Sequence, residues 1–263
     1  MSSIASLFSL HGKVAFVTGA SGGLGRAMAL ALAQAGAAVV VAGRHAARLQ
    51  QTVDLLTDAG AAVHSVIFDL ADHAAGVRAV ADTLARHGRL DILVNNAGLN
   101  RRGPLLDSTA ADWDFVMNTN MTATYVLTRE ALRPMVAQGW GRVINIGSAL
   151  SLMGRQQIAS YVASKHAVAG FSKAVAAEFG RHGITCNCLA PGYFNTEIND
   201  SLTSVSGMAA NITGRIAMRR WGDPHELAGV VVFLASEASS YVTGHVLLAD
   251  GGLSAAFVLP EIE

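Results

Sequence analysis

Seven short runs rich in Val, Ile, Leu and Ala recur along the chain: Lys13–Thr18, Ala38–Ala42, Ala62–Phe68, Leu90–Asn95, Arg142–Gly147, Ile184–Ala190 and Val246–Ala249. They read as continuous apolar runs rather than in/out alternations, the mark of strands covered on both faces in a parallel sheet. Between them lie Ala-rich segments of helical length: Gly23–Ala35, Ala46–Ala59, Asp72–His87, Ala111–Ala137, Ile158–His182 and Pro224–Leu234. Asp112 and Asp223 are placed as helix N-caps, and Pro224 suits a first helical position. Strands spaced by helices require right-handed crossovers. The expected fold is therefore α/β: a single Rossmann-type doubly wound parallel sheet of about seven strands, with helices on both faces. No linker or repeat divides the chain, so residues 1–263 read as one domain. In such sheets ligands lie outside the carboxyl ends of the strands.

Composition narrows the function. Lys plus Arg and Asp plus Glu both number 19, giving a formal net charge of zero. That balance offers no basic excess for a nucleic-acid backbone. Hydrophobic residues make up 51% and charged residues 14%, against a usual charged share of roughly 25%. A chain this apolar is not disordered, and its sparse charge suggests surface hidden between subunits. The start, Met-Ser-Ser-Ile-Ala-Ser-Leu-Phe-Ser-Leu, lacks a basic region, and the uncharged stretch between Arg26 and Arg44 is broken by Gln34 and Gly36. Neither a secretory signal nor a membrane span is expected, which points to a cytoplasmic protein. Cys186 and Cys188 stand two apart on a strand, facing one side, as small apolar residues. The 9 His include no H-E-x-x-H pair, and no catalytic metal is expected.

The first strand runs into Gly19-Ala20-Ser21-Gly22-Gly23-Leu24-Gly25 and then a helix. Glycines let backbone amides reach a pyrophosphate, and the helix start adds its positive end. The same segment also matches G-x-S-x-G, the nucleophile elbow of serine hydrolases, with Asp223 and His245 as paper partners. An elbow on the first strand, however, has no upstream strand and loop to supply the oxyanion-hole amide. An NAD site places an acid about 20 residues past the glycines. Here the second strand ends Gly43-Arg44-His45. Arg44 can clamp a 2′-phosphate, so NADP(H) is expected over NAD(H). Gly22 leaves the loop itself without a second basic residue for that phosphate.

Tyr161 and Lys165 stand four apart in a predicted helix and share a face. An ammonium about 4 Å from the phenol contributes about 4 kcal/mol at an effective dielectric of about 20. That corresponds to a fall of roughly 3 pKa units from the usual phenol value near 10, bringing Tyr161 toward acid–base work at neutral pH. Ser148 closes the strand Val143–Gly147 at its carboxyl end, where a hydroxyl can hold a substrate oxygen.

Thr18-Gly19-x-x-x-Gly23-x-Gly25, Asn95-Asn96-Ala97-Gly98, Asn120, Ser148, Tyr161-x-x-x-Lys165 and Pro191-Gly192 together resemble the short-chain dehydrogenase/reductase family over essentially the whole chain. The resemblance implies hydride transfer between a nicotinamide cofactor and a ketone/secondary-alcohol pair, with Tyr161 moving the proton and Ser148 holding the carbonyl oxygen. It implies that Lys165 also binds the nicotinamide ribose and that Asn120 anchors a proton-relaying water. Gly19, Ser21, Gly23, Leu24, Gly25, Asp69, Leu70, Asn96, Ala97, Gly98, Pro191 and Gly192 would line the cofactor, Asp69 accepting from the adenine amino group. Phe194 and Thr196 would meet the carboxamide, and members are commonly homotetramers. Residues 193–220 read as a mobile substrate lid. Arg101, beside Arg102, and Tyr193 are candidate substrate contacts. The runs Asn100–Leu105 and Ala190–Phe194 look like those of gluconate 5-dehydrogenases. A 3-oxoacyl-carrier-protein reductase, a general ketone/alcohol enzyme and a non-catalytic NADP-binding protein remain as alternatives.

Overall fold

The computed structural model describes residues 3–197 and 207–256. A short helical turn, α1 (Ile4–Leu7), precedes β1 (Val14–Thr18), α2 (Gly23–Gln34), β2 (Ala38–Gly43), α3 (Ala46–Asp58), β3 (Val63–Ile67), α4 (His73–His87) and β4 (Ile92–Asn95). The second half runs α5 (Ala110–Met117), α6 (Ala123–Gln138), β5 (Gly141–Ile146), α7 (Ala159–Phe179), β6 (Ile184–Pro191), α8 (Met208–Thr213), α9 (Ala228–Ala235) and β7 (Val246–Ala249). The strands form one seven-stranded sheet in the order β3-β2-β1-β4-β5-β6-β7, every pairing parallel. The order reverses between β1 and β4, which opens a crevice at their carboxyl ends.

The period-two geometry of a strand sorts neighbouring residues onto opposite faces. Ala15, Val17, Val39, Val41, Ile92 and Val94 join a core with Met28 and Leu32 of α2 and Val231 and Leu234 of α9. Val14, Phe16, Val40 and Leu93 join a second core with Val80 of α4, Leu127 and Met135 of α6 and Val175 of α7. Each fully buried Val or Leu contributes roughly 1.5–3 kcal/mol, so both faces of the sheet are strongly held. The edge strands differ: β3 and β7 keep intermediate exposure, as edges do. Cys186 and Cys188 are free and buried on the side of α7, and burial pushes the Cys186 thiol up to about 12.

Two expectations are corrected. The helix expected over 111–137 is two helices joined by a π-turn, Asn118–Thr122. Its cap is Thr109, whose hydroxyl accepts from Asp112 N–H at 3.1 Å while the Asp112 carboxylate accepts from Thr109 N–H at 3.3 Å. Asp112 is thus the third residue of a capping box, inside the first turn of the helix rather than its cap. Asp223 does cap its turn, Pro224–Leu227, which leads into α9. Among the described residues no helix is long and apolar enough to cross a membrane.

Candidate active site

At the crevice, Thr18 ends β1 and its hydroxyl accepts from the backbone N–H groups of Asn96 (2.9 Å) and Ala97 (3.1 Å), past the end of β4. The Asn96 amide donates to the carbonyls of Thr18 (2.9 Å) and Gly19 (3.3 Å). Gly19 sits at φ +64°, where a Cβ would lie 2.8 Å from Asn96 Nδ2, and a Cβ on Gly25 would overlap the Gly19 carbonyl. The two loops therefore touch backbone to backbone, and no side chain caps the start of α2. Its first-turn amides are left for a ligand of negative charge, as a dinucleotide pyrophosphate is. These features fit a dinucleotide.

Arg44 ends β2 exposed, 4.0 Å from the Asp69 carboxylate past the end of β3. Asp69 also accepts from Ala71 N–H at 2.9 Å. Leu70 packs against the α4/α6 side of the core. The glycine loop has a basic neighbour on α3: Arg48 Nη2 lies 3.4 Å from where a Gly22 Cβ would stand, and Arg48 pairs with Glu197. Thr196 lies beside Gly23, 3.4 Å from the position of its Cβ. Gly192 approaches Asp250 too closely for any side chain, its Cβ position being 2.7 Å from Asp250 Cα. Phe194 turns its side chain away from the crevice. Its ring is buried in the α2/α9 core and presses on Gly222, so any part it plays at the carboxamide falls to its backbone.

The π-turn brings Asn120 under the loop after β4. Its amide accepts from Leu99 N–H (2.9 Å) and donates to Leu99 O (2.9 Å) and Ser164 Oγ (3.0 Å). Its side chain thus braces this loop against α7, and the water-anchoring role would be left to its backbone carbonyl, which already accepts from Thr124 at 2.8 Å. Gly98 converges on the same place, a Cβ there lying 3.3 Å from Asn120 Oδ1 and 3.5 Å from Lys165 Nζ. Asn95 donates to Thr128 and Asn145 inside the core.

The Ser148 hydroxyl lies close enough to the Tyr161 phenol to pull its pKa down. Burial outweighs it, and Tyr161 is held above its usual value. The expected depression by Lys165 is corrected. The Lys165 ammonium is 4% exposed, donates to Ile146 O at 2.7 Å and stands 5.5 Å from the centre of the Tyr161 ring. Burial brings Lys165 itself down to about 8. A dry pocket penalises the charged form of each group, and that cost sets both directions here.

The hydrolase alternative fails on topology. His245 precedes β7 at the amino end of the sheet and Asp223 is committed to a cap, whereas Ser21 lies at the carboxyl end. Of the candidate substrate contacts, Tyr193 has its phenol close enough to Tyr161 to raise the latter's pKa. Arg101 instead pairs with Asp112 at 3.8 Å and lies 4.8 Å over the Phe115 ring. The guanidinium beside Tyr193 is that of Arg155, donating to the Tyr193 hydroxyl at 2.9 Å. Sequence reasoning missed Arg155, Arg48 and Ser164. Arg155 falls between Ser148 and Tyr161 in the chain, the one available cue. Residues 198–206 of the expected lid lie outside the described residues. The rest of it is anchored, with Ile212, Ile216 and Trp221 buried together against Tyr193 and Met218 N–H bonded to Gly251 O at 3.0 Å.

A family profile described as Enoyl-(Acyl carrier protein) reductase matches residues 19–254. The chain is 42% identical over 248 residues to the gluconate 5-dehydrogenase of Gluconobacter oxydans, covering 94% of this chain and 97% of that protein. It is 43% identical over 251 residues to the 2-dehydro-3-deoxy-D-gluconate 5-dehydrogenase of Escherichia coli, covering 95% and 98%. The crystal structure of a gluconate 5-dehydrogenase from Burkholderia cenocepacia in complex with NADP and tartrate matches with a TM-score of 0.93 at 39% identity, covering 97% of this chain and 100% of that one.

Proposed function

This chain belongs to the short-chain dehydrogenase/reductase family and is an oxidoreductase acting on CH–OH groups, and from that premise we propose that it interconverts a ketone and a secondary alcohol on a gluconate-type sugar acid, with NADP(H) as cofactor and Tyr161 carrying the proton. One observation carries the reading: Ser148, Tyr161 and Lys165 converge beyond β5, next to Gly98, which continues the loop packed on Gly19 and Gly25. When bound, the dihydronicotinamide supplies a hydride to the carbonyl carbon. Ser148 and Tyr161 hold the carbonyl oxygen by hydrogen bonds. Tyr161, kept protonated at neutral pH by its burial, gives its proton to that oxygen as the C=O π electrons collapse onto it. The Lys165 ammonium, fixed by Ile146 O, then offsets the phenolate charge left behind. In the oxidising direction the same groups act in reverse. Arg44 and Arg48 flank the place where the 2′-phosphate of NADP would lie. Sparse charge, with Trp113, Phe115 and Tyr125 exposed on α5 and α6, supports assembly as a homotetramer.

The test is turnover read by nicotinamide absorbance, with D-gluconate and NADP⁺ in one direction and 5-keto-D-gluconate and NADPH in the other. Turnover of either acid is expected, faster than that of cyclic alcohols or ketones. Activity confined to neutral compounds or to acyl thioesters would overturn the substrate class, and no hydride transfer to any carbonyl would overturn the reaction.

A further inference from the structure

We infer that Arg155 is the residue that reads the substrate's carboxylate, and so sets the preference for an acid over a neutral polyol; this deepens the proposed function and rests on its sugar-acid substrate. Arg155 lies in the segment between the turn Ala149–Ser151 and α7, the stretch whose two ends carry Ser148 and Tyr161. Its Nη1 donates to the Tyr193 hydroxyl at 2.9 Å, and Tyr193 in turn lies near Tyr161. The guanidinium therefore stands one aromatic residue away from the reacting phenol.

Three further observations separate it from an ordinary surface arginine. Arg44, Arg48, Arg89, Arg101, Arg142 and Arg220 each face a carboxylate. Arg155 is half-buried and among the described residues has no acidic partner. A phenol takes one of its five N–H donors, and the remaining fork suits two oxygens of a carboxylate. The backbone that presents it is also fixed. Gln157 holds φ at +65°, its carbonyl accepts from Gly103 N–H at 2.9 Å, and Ile158 is buried. A side chain other than Gly rarely takes that conformation, and such positions gather at ligand sites. The far side of Tyr193 is closed by Trp221, ring centres 5.4 Å apart, whose buried indole nitrogen has no hydrogen-bond partner among the described residues. Arg101, the arginine expected to contact substrate, is drawn to Asp112 and Phe115.

The experiment compares D-gluconate with D-glucitol, the same carbon chain with a hydroxymethyl group in place of the carboxylate. Their dissociation constants are measured by calorimetry on the NADP⁺-loaded enzyme, for the parent, Arg155→Met and Arg155→Lys. The parent is expected to bind gluconate more tightly than glucitol. Arg155→Met weakens gluconate by about 30-fold or more, leaves glucitol within threefold and leaves the affinity for NADP⁺ unchanged, which also shows that the variant is folded. Arg155→Lys restores part of the preference, since it returns the charge without the fork. Equal weakening of both compounds would assign Arg155 a merely structural part and overturn the inference. A parent that prefers gluconate and a Met variant that keeps the preference would overturn Arg155 alone. A parent with no preference would overturn the sugar-acid reading and this inference together.

Discussion

The two ends of the sheet treat charge in opposite ways. At the amino end, Asp91 is fully buried, yet it accepts from Val14 N–H at 2.9 Å, holds Arg89 through two bonds of 2.7 Å and lies 4.0 Å from Lys13. Arg142, 2% exposed, reaches the carbonyls of Gly141, Gly183 and Ser236 and pairs with Glu237 at 3.3 Å. Trp140 lies between Lys13 and Arg142, 3.5 and 4.3 Å from its ring centre. Each of these buried charges has its partners within the chain. At the carboxyl end, Lys165 rests on one carbonyl and Arg155 on one phenol. The difference teaches where to look for ligands: partnered charge holds the strands in register, whereas buried charge with an incomplete set of partners stands where a second molecule completes it.

Four substitutions sharpen that contrast, in falling order of effect. Tyr161→Phe removes the proton donor and is expected to lower kcat by about 10²–10⁴-fold, with the midpoint of thermal unfolding nearly unchanged. A loss under tenfold would take Tyr161 out of the proton transfer. Asp91→Ala acts on the other end. It strands Arg89 and Lys13 and removes an acceptor from Val14, a loss of about 3–5 kcal/mol in stability, read by denaturant unfolding, with kcat per folded molecule at the parent value. A silent Asp91→Ala would break the comparison.

The third concerns Lys165. Its pKa falls from 10.5 to about 8 on folding, so the unfolded chain holds this proton more tightly than the native one. The resulting destabilisation, of the order of 3 kcal/mol, is complete below pH 8 and disappears as pH rises toward 10.5. Lys165→Met should therefore be inactive yet more stable than the parent at pH 7, with that advantage shrinking through this window. The parent's reduction rate should fall above pH 8 as the ammonium is lost. A variant less stable than the parent at pH 7 would show that the bond to Ile146 outweighs the burial of charge. The smallest effect is at the exposed end of β2. Arg44→Ala should remove a preference for NADPH over NADH of about tenfold in KM, and equal KM values in the parent would refute the role of Arg44 in choosing the cofactor.

The same contrast explains what was legible beforehand. The strands were readable because Val, Ile and Leu fill both faces of β1, β2, β4 and β5, and the glycine loop because its spacing is dictated by backbone contact. Ser148, Tyr161 and Lys165 were readable because strand end and helical period bring them together. Three-dimensional packing hid the rest. Nothing in Asn118–Thr122 announces a π-turn, so one long helix was the natural reading. No local pattern sends Arg101 to Asp112 while Arg155, fifty-odd positions later in the chain, meets Tyr193. The direction of the Tyr161 pKa depended on how dry the pocket is, and spacing along a helix carries no information about that.

The π-turn has an evolutionary corollary. One residue added to or removed from Asn118–Thr122 would turn everything after it by about 100° around the helix axis, swinging Asn120 off Leu99 and Ser164 and the apolar stripe of α6 off the sheet. The stretch must therefore keep its number of residues as well as Asn120 itself.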